Sequence, residues 1–260
     1  MPFVKSDGID LYYEVHGDGP AVVLAHGRGG SHLSWWQQVP TLSKHCKVVT
    51  FDHRGFGLSN DVPKGPGRAA YASDLRNLLD HLGIEKAYLV GQSMGGWTAL
   101  AFAVANQTRV LGLFLADTSA GINEEAIFEG YRSRPEPPDN VAERATSASF
   151  KLRETDKAFL YGQLSGLNLK PPAETLQSLL FSRDGPDAAT LSTFMVPTEF
   201  IVGEDDVVVP PFIEILCAGY MRSAPVHVIP DTGHSVYFER PEVFNEILLR
   251  FIGRTRSEVV

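Results

Sequence analysis

The chain has 260 residues, of which 43% are hydrophobic and 21% charged, and a formal net charge of −8, values that suit one globular domain with a substantial core. The acidic balance carries no Lys/Arg cluster, so neither nucleic acid nor an anionic membrane surface is expected as a partner. Cys46 and Cys217 are too isolated for a disulfide framework or a zinc site, and Met1 to Gly8 has no signal-peptide pattern, so a soluble protein of the reducing cytoplasm is expected.

Ile9 to Val15 follows Asp7-Gly8, a hairpin signal that predicts an antiparallel pair at a sheet edge. Ala21 to Ala25 is a continuous apolar run, as in a strand buried on both faces, and it leads into His26-Gly27-Arg28-Gly29-Gly30-Ser31. A Gly-rich loop leaving a central strand can aim backbone N–H groups at a phosphate or an oxyanion. The loop lacks the Gly-Lys-Ser/Thr of a P-loop and the Gly-x-Gly-x-x-Gly of a dinucleotide site, which decides against phosphate. A short helix is expected over Ser34 to Leu42 and a strand over Lys47 to Phe51. In the turn that follows, Asp52 and Arg54 are read as tied into local hydrogen bonds. The stripe Leu75, Leu78, Leu79 and Leu82 predicts a helix from Tyr71 that Gly83 stops.

Ala87-Tyr88-Leu89-Val90 then runs as a buried strand into Gly91-Gln92-Ser93-Met94-Gly95-Gly96 and an Ala-rich helix from Trp97 to Asn106. A one-residue turn between strand and helix leaves no room for side chains at Gly91 and Gly95, while the Ser93 hydroxyl is pushed outward. Ser93 is therefore the candidate nucleophile, and Trp97 is expected in the core. Val110 to Ala116 is another buried strand, ending at Asp117. Strands alternating with helices at this spacing predict a parallel sheet with right-handed crossovers.

From Gly121 to Met195 the pattern changes to weakly amphipathic helical pieces broken by Pro135, Pro137-Pro138, Pro171-Pro172 and Gly185-Pro186. So long an insertion predicts a helical lid, residues 121–195, on a core domain of residues 1–120 and 196–260. Phe128, Phe150, Phe159, Leu160, Leu164, Leu167, Leu180 and Phe181 would form its apolar underside. Strands Thr198 to Gly203 and Val226 to Ile229, with helices Pro211 to Tyr220 and Pro241 to Phe251, complete the chain.

A serine hydroxyl is a poor nucleophile until a base takes its proton and a third group orients that base. His234 lies in a Gly-flanked loop after the last strand, and Asp206 in the loop after the strand before it. Ser, Asp, His is the chain order this architecture requires.

With His26-Gly27-Arg28-Gly29-Gly30, Asp52-His53-Arg54-Gly55-Phe56-Gly57-Leu58-Ser59, Gly91-Gln92-Ser93-Met94-Gly95-Gly96, Gly203-Glu204-Asp205-Asp206 and Gly233-His234, nearly the whole chain resembles the α/β-hydrolase fold superfamily. The resemblance is to its small single-domain esterases, lactonases, perhydrolases and carbon–carbon bond hydrolases. It implies an α/β fold with a mostly parallel central sheet, helices on both faces and a small helical lid. It also implies Ser93 as nucleophile, His234 as general base and later acid, and Asp206 as the orienting carboxylate. The backbone N–H groups of Arg28 and Met94 would form the oxyanion hole, and no cofactor or metal would be needed. Asp205 is an alternative carboxylate, though the Gly-x-x-Asp spacing from Gly203 favours Asp206; some relatives carry the acid where this chain has Asp117. A serine in place of an aspartate nucleophile argues against a haloalkane dehalogenase or an epoxide hydrolase.

The reaction expected is hydrolysis of a small-molecule carboxylic ester or lactone, with carbon–carbon hydrolysis of an acidic diketone and a ligand receptor as rivals. Gly27, Arg28 and Trp35 are the candidate substrate-binding residues. The Arg28 guanidinium can hold a substrate carboxylate or pair with an acid of the lid; Trp35 aligns with a position that packs under the first loop.

Overall fold

A computed structural model describes residues 2–62, 64–168 and 175–257; the Pro171-Pro172 break lies outside them. Eight strands form one sheet: β1 (Phe3–Ser6), β2 (Ile9–His16), β3 (Ala21–Ala25), β4 (Lys47–Phe51), β5 (Ala87–Gln92), β6 (Val110–Ala116), β7 (Thr198–Gly203) and β8 (Val226–Ile229). Their order is β1-β2-β4-β3-β5-β6-β7-β8. β1 and β2 form the expected antiparallel edge pair, and Asp7 and Gly8 turn between them at φ 42° and 85°. β2 also runs antiparallel to β4, and every pairing from β4 to β8 is parallel.

The side-chain period of two splits each central strand between two cores. Val23, Val49, Leu89, Leu113 and Phe200 face helices Tyr71–His81, Met94–Ala105 and Pro211–Gly219. Val22, Val48, Val90, Phe114 and Ile201 face Trp35 and the closing helix Pro241–Ser257. That helix runs past the expected end at Phe251 because Ile252 and Thr255 still bury against the sheet, where Thr255 Oγ1 donates to the Tyr88 hydroxyl. Ser34 to Leu42 is two short turns instead of one helix, His32–Trp35 and Val39–Leu42, the second opened by Pro40.

Between β6 and β7 the described residues hold six helical segments, Glu125–Ser133, Val141–Ala145, Ala148–Arg153, Thr155–Gly166, Leu176–Leu180 and Ala188–Leu191, and no strand. Phe128, Phe150 and Leu180 are buried, whereas Phe159 and Leu167 are 69% and 55% exposed and do not belong to the underside. Helix Thr155–Gly166 has no fully buried residue, and Ala158, Tyr161 and Leu164 are the positions it packs against the core. No described helix is long and apolar enough to cross a membrane.

β3 is the point where the strand order reverses, with β4 on one side and β5 on the other. A crevice opens outside the carboxyl ends of the strands at such a point, and the His26 loop and the Ser93 turn both leave the sheet there.

Candidate active site

Ser93 occupies the turn between β5 and helix Met94–Ala105 at φ 51°, ψ −117°, a conformation that costs a non-glycine residue of order 1–3 kcal/mol. Neighbouring elements hold it there. Ser93 N–H donates to Ala116 O at 2.9 Å, and Ser93 O accepts from Gly96 N–H at 2.9 Å and from the Thr118 hydroxyl at 2.7 Å. A Cβ at Gly91 would stand 2.5 Å from Gly95 O, and one at Gly95 would meet the carbonyl of Ala25 at the end of β3.

The loops after β7 and β8 bring two more side chains to this turn. His234 Nε2 lies 2.9 Å from Ser93 Oγ, and His234 Nδ1 lies 2.7 Å from Asp206 Oδ2. A carboxylate only accepts, so Nδ1 of the neutral ring carries the proton and Nε2 accepts from the serine hydroxyl. Asp206 is fixed in turn, its Oδ1 accepting from the N–H groups of Val208 at 2.7 Å and Val209 at 2.9 Å. The His234 loop is held through its backbone, where Gln92 Nε2 donates to His234 O at 2.9 Å and Gly233 N–H donates to Glu239 Oε1 at 2.9 Å.

The two other acids take different places. Asp205 is exposed. Asp117 is fully buried, accepting from Gly203 N–H at 3.2 Å and Val236 N–H at 3.1 Å, and it braces the Asp206 and His234 loops without touching the imidazole. Burial, and then the Asp206 charge, push the Asp117 carboxyl well above the ordinary carboxylate range. Glu214, fully buried on helix Pro211–Gly219, is pushed well above it by burial and by Asp117. Thr118 N–H donates to Glu214 Oε1, while Oε2 is buried without a partner.

A cavity of about 20 Å³ lies beside Ser93, bordered by Arg28, Met94, Trp97, Thr118, Tyr131, Leu176 and Leu180 among others. It has room for about one water. Arg28 also borders a second small cavity, with Gly27, Gln92, Tyr161 and Tyr237. Trp97 is buried as expected, yet its ring also faces the Ser93 cavity, with the Arg68 guanidinium 4.9 Å from its centroid. Trp35 is corrected as a substrate-binding candidate: it is fully buried against Tyr237 and Phe244 and borders neither cavity. Met94 heads its helix, so its N–H has no intrahelical partner.

The turn after β4 is bonded over longer reach than expected. Asp52 accepts from His32 N–H at 2.5 Å as well as from Leu58 N–H at 2.8 Å. Burial pushes its pKa up, but the hydrogen bond with His32 and the charge of His26 prevail and hold it low. Arg54 reaches Asp74 on helix Tyr71–His81 through Nε at 2.7 Å and Nη2 at 2.6 Å. Among the described residues no group of three His, Cys, Asp or Glu is placed to hold a metal ion.

With strand order, serine turn and loops in view, the sequence pattern of the alpha/beta hydrolase family matches residues 22–247. The chain belongs to the alpha/beta hydrolase family. Among its hydrolase relatives, a Caulobacter sp. (strain K31) protein, RutD, whose name carries carbamate hydrolysis as a provisional activity, is 30% identical over 96% of this chain and 98% of its own. A thermophilic esterase from Thermogutta terrifontis superposes with a TM-score of 0.80 at 29% identity, covering 98% of both chains. The enol-lactonase from Burkholderia xenovorans LB400 superposes at 0.78 with 25% identity, over 97% of this chain and 100% of its own.

Thr118, Tyr131 and Glu214 carried no motif in the sequence of this alpha/beta hydrolase. The one signal for Thr118 is position: it follows the end of β6, the strand beside the serine strand, where a side chain reaches the turn.

Proposed function

We propose that the chain hydrolyses a carboxylic ester or lactone through an acyl-enzyme. The observation that supports this most is the contact chain from Ser93 Oγ through His234 to Asp206, at 2.9 and 2.7 Å, on a strained turn that leaves the hydroxyl at a cavity. Ser93 Oγ attacks the carbonyl carbon as its proton passes to His234 Nε2. The tetrahedral oxyanion is held by the N–H groups of Arg28 and Met94, each contributing about 3 kcal/mol to the barrier reduction. Its collapse breaks the bond to the alcohol oxygen, which takes the proton from His234. Water, deprotonated by the same imidazole, then frees the acid; for a lactone the product is one hydroxy acid. The esterase and enol-lactonase among the similar structures support this reaction class.

The described residues of 121–195 act as a lid over the site, since Tyr131, Leu176, Leu179 and Leu180 among them wall the cavity at Ser93. The substrate is a small molecule, and neither cofactor nor metal takes part. The two buried free thiols, Cys46 and Cys217, fit a reducing cytoplasm.

The test is turnover of p-nitrophenyl acetate together with labelling by a fluorophosphonate. Wild type should show both, and Ser93→Ala neither, at an unchanged melting temperature. A folded wild type that neither cleaves activated esters nor takes the label overturns the reading.

A further inference from the structure

A cleft of about 460 Å³ lies next to the Ser93 cavity, and the two share Tyr131 and Leu176 as walls. Three arginines line it, Arg132, Arg134 and Arg144, together with Glu136 and Asp139. Two of the arginines are engaged. Arg132 pairs with Glu125 at 2.7 Å, and Arg144 donates to the carbonyls of Pro138 and Asp139. Arg134 differs. Its Nη1 donates only to the adjacent carbonyl of Pro135 at 3.3 Å, and its guanidinium lies 5.4 Å from the centroid of the Tyr131 ring. Its Nε is buried without a hydrogen-bond partner, and among the described residues no carboxylate stands within ion-pair distance.

Arg134 Nη2 has no partner among the described residues and, unlike Nε, is not closed off from water, and a carboxylate is the acceptor that pairs most strongly with a guanidinium N–H. Arg54 makes such a pair with Asp74 in this chain. The ring of Tyr131 lies under Arg134 and also walls the Ser93 cavity, so the guanidinium and the serine stand on adjoining spaces. Glu136 and Asp139 also line the cleft, and the Glu136 charge acts on Arg134 from beyond ion-pair distance, so a bound carboxylate has to compete with it.

We propose that Arg134 binds a carboxylate on the substrate, so that the ester or lactone cleaved at Ser93 carries a second, free acid group. This rests on the hydrolase reading of Ser93.

The test compares esters with and without the extra carboxylate. On the acyl side, mono-p-nitrophenyl glutarate is set against p-nitrophenyl valerate, and on the leaving-group side 4-acetoxybenzoate against phenyl acetate. In at least one pair the acid should have the higher kcat/KM. Arg134→Gln should lower that acid-to-neutral ratio about 10- to 100-fold, through KM, as expected for loss of a charge-assisted pair. Arg134→Lys should restore part of it, and Arg250→Gln, an exposed residue of the closing helix, should leave it unchanged. Calorimetric titration with glutarate reads the site without turnover, and Arg134→Gln should weaken that binding at least tenfold. Absence of acid preference in both pairs, or its retention in Arg134→Gln, overturns the proposal. Glutarate bound through Arg134 with no ester cleaved keeps the anion site and overturns the hydrolase reading. If Arg134→Gln does not fold, the wild-type ratios and Arg134→Lys still decide.

Discussion

Asp117 follows β6, Asp205 and Asp206 follow β7, and only Asp206 bonds to the imidazole of His234. Asp206 faces Nδ1 while two backbone N–H groups fix its other oxygen. Asp206→Asn should lower kcat toward esters by about 10³–10⁴-fold, because the amide disturbs the tautomer that leaves Nε2 free to accept. Asp205→Asn should leave kcat/KM within about twofold, as its side chain is exposed. Steady-state kinetics on p-nitrophenyl acetate distinguishes the two, and an Asp205 effect as large as that of Asp206 would refute the assignment. That Ser93 and His234 come together was legible in the sequence because glycines crowd their turns and the chain order fits. Trp35 was not, since an aromatic residue next to a catalytic loop looks the same in sequence whether it faces substrate or packs against Phe244.

Helix Pro211–Gly219 packs on the core through Ile213 and Cys217 and places Glu214 beneath the β6 loop, where it accepts from Thr118. A buried carboxyl with a raised pKa keeps its proton in the folded state at a pH where the unfolded chain has released it. Stability from this group is therefore lost as pH rises from the ordinary value of 4.5 toward the raised one, by at most about 1.4 kcal/mol per pH unit. Gln cannot ionise and still offers an acceptor to Thr118. Glu214→Gln should thus lose less melting temperature than wild type between about pH 5 and pH 8, and parallel curves in calorimetry would refute the buried neutral acid. The helical segments of residues 121–195 leave about 20 Å³ beside Ser93. Short acyl groups should therefore be favoured, with kcat/KM for p-nitrophenyl acetate at least about tenfold above that for the palmitate, and Leu176→Ala should narrow the gap. These segments were the least legible part of the sequence. Phe159 and Leu167 read as inward apolar residues but point to solvent, because Ala158, Tyr161 and Leu164 take the inward face of helix Thr155–Gly166.

For the molecule as a whole, the pair between Arg54 and Asp74 joins three parts of the chain: the turn after β4, helix Tyr71–His81 and the first hairpin, where the Ser6 hydroxyl donates to Asp74 at 2.5 Å. Both side chains are excluded from water, at 0% and 1% exposure. Asp74→Asn leaves a buried guanidinium with only Asp61, at 3.4 Å, as counter-charge, at a cost of about 3 kcal/mol and roughly 10 °C in melting temperature. Calorimetry checks this, and a loss below about 2 °C would show the ion pair to be replaceable. Strand positions, the parallel sheet, the serine turn and the late histidine loop were determined by the sequence alone, because each rests on local chemistry: apolar runs, glycines in tight turns, and one strand following another at crossover spacing. The contact of His234 with Asp206 rather than Asp117 or Asp205, the burial of Trp35 and Glu214 and the cleft at Arg134 were decided by the fold. Each depends on which distant segments meet in space and which polar groups lose water there, and no stretch of local sequence records that.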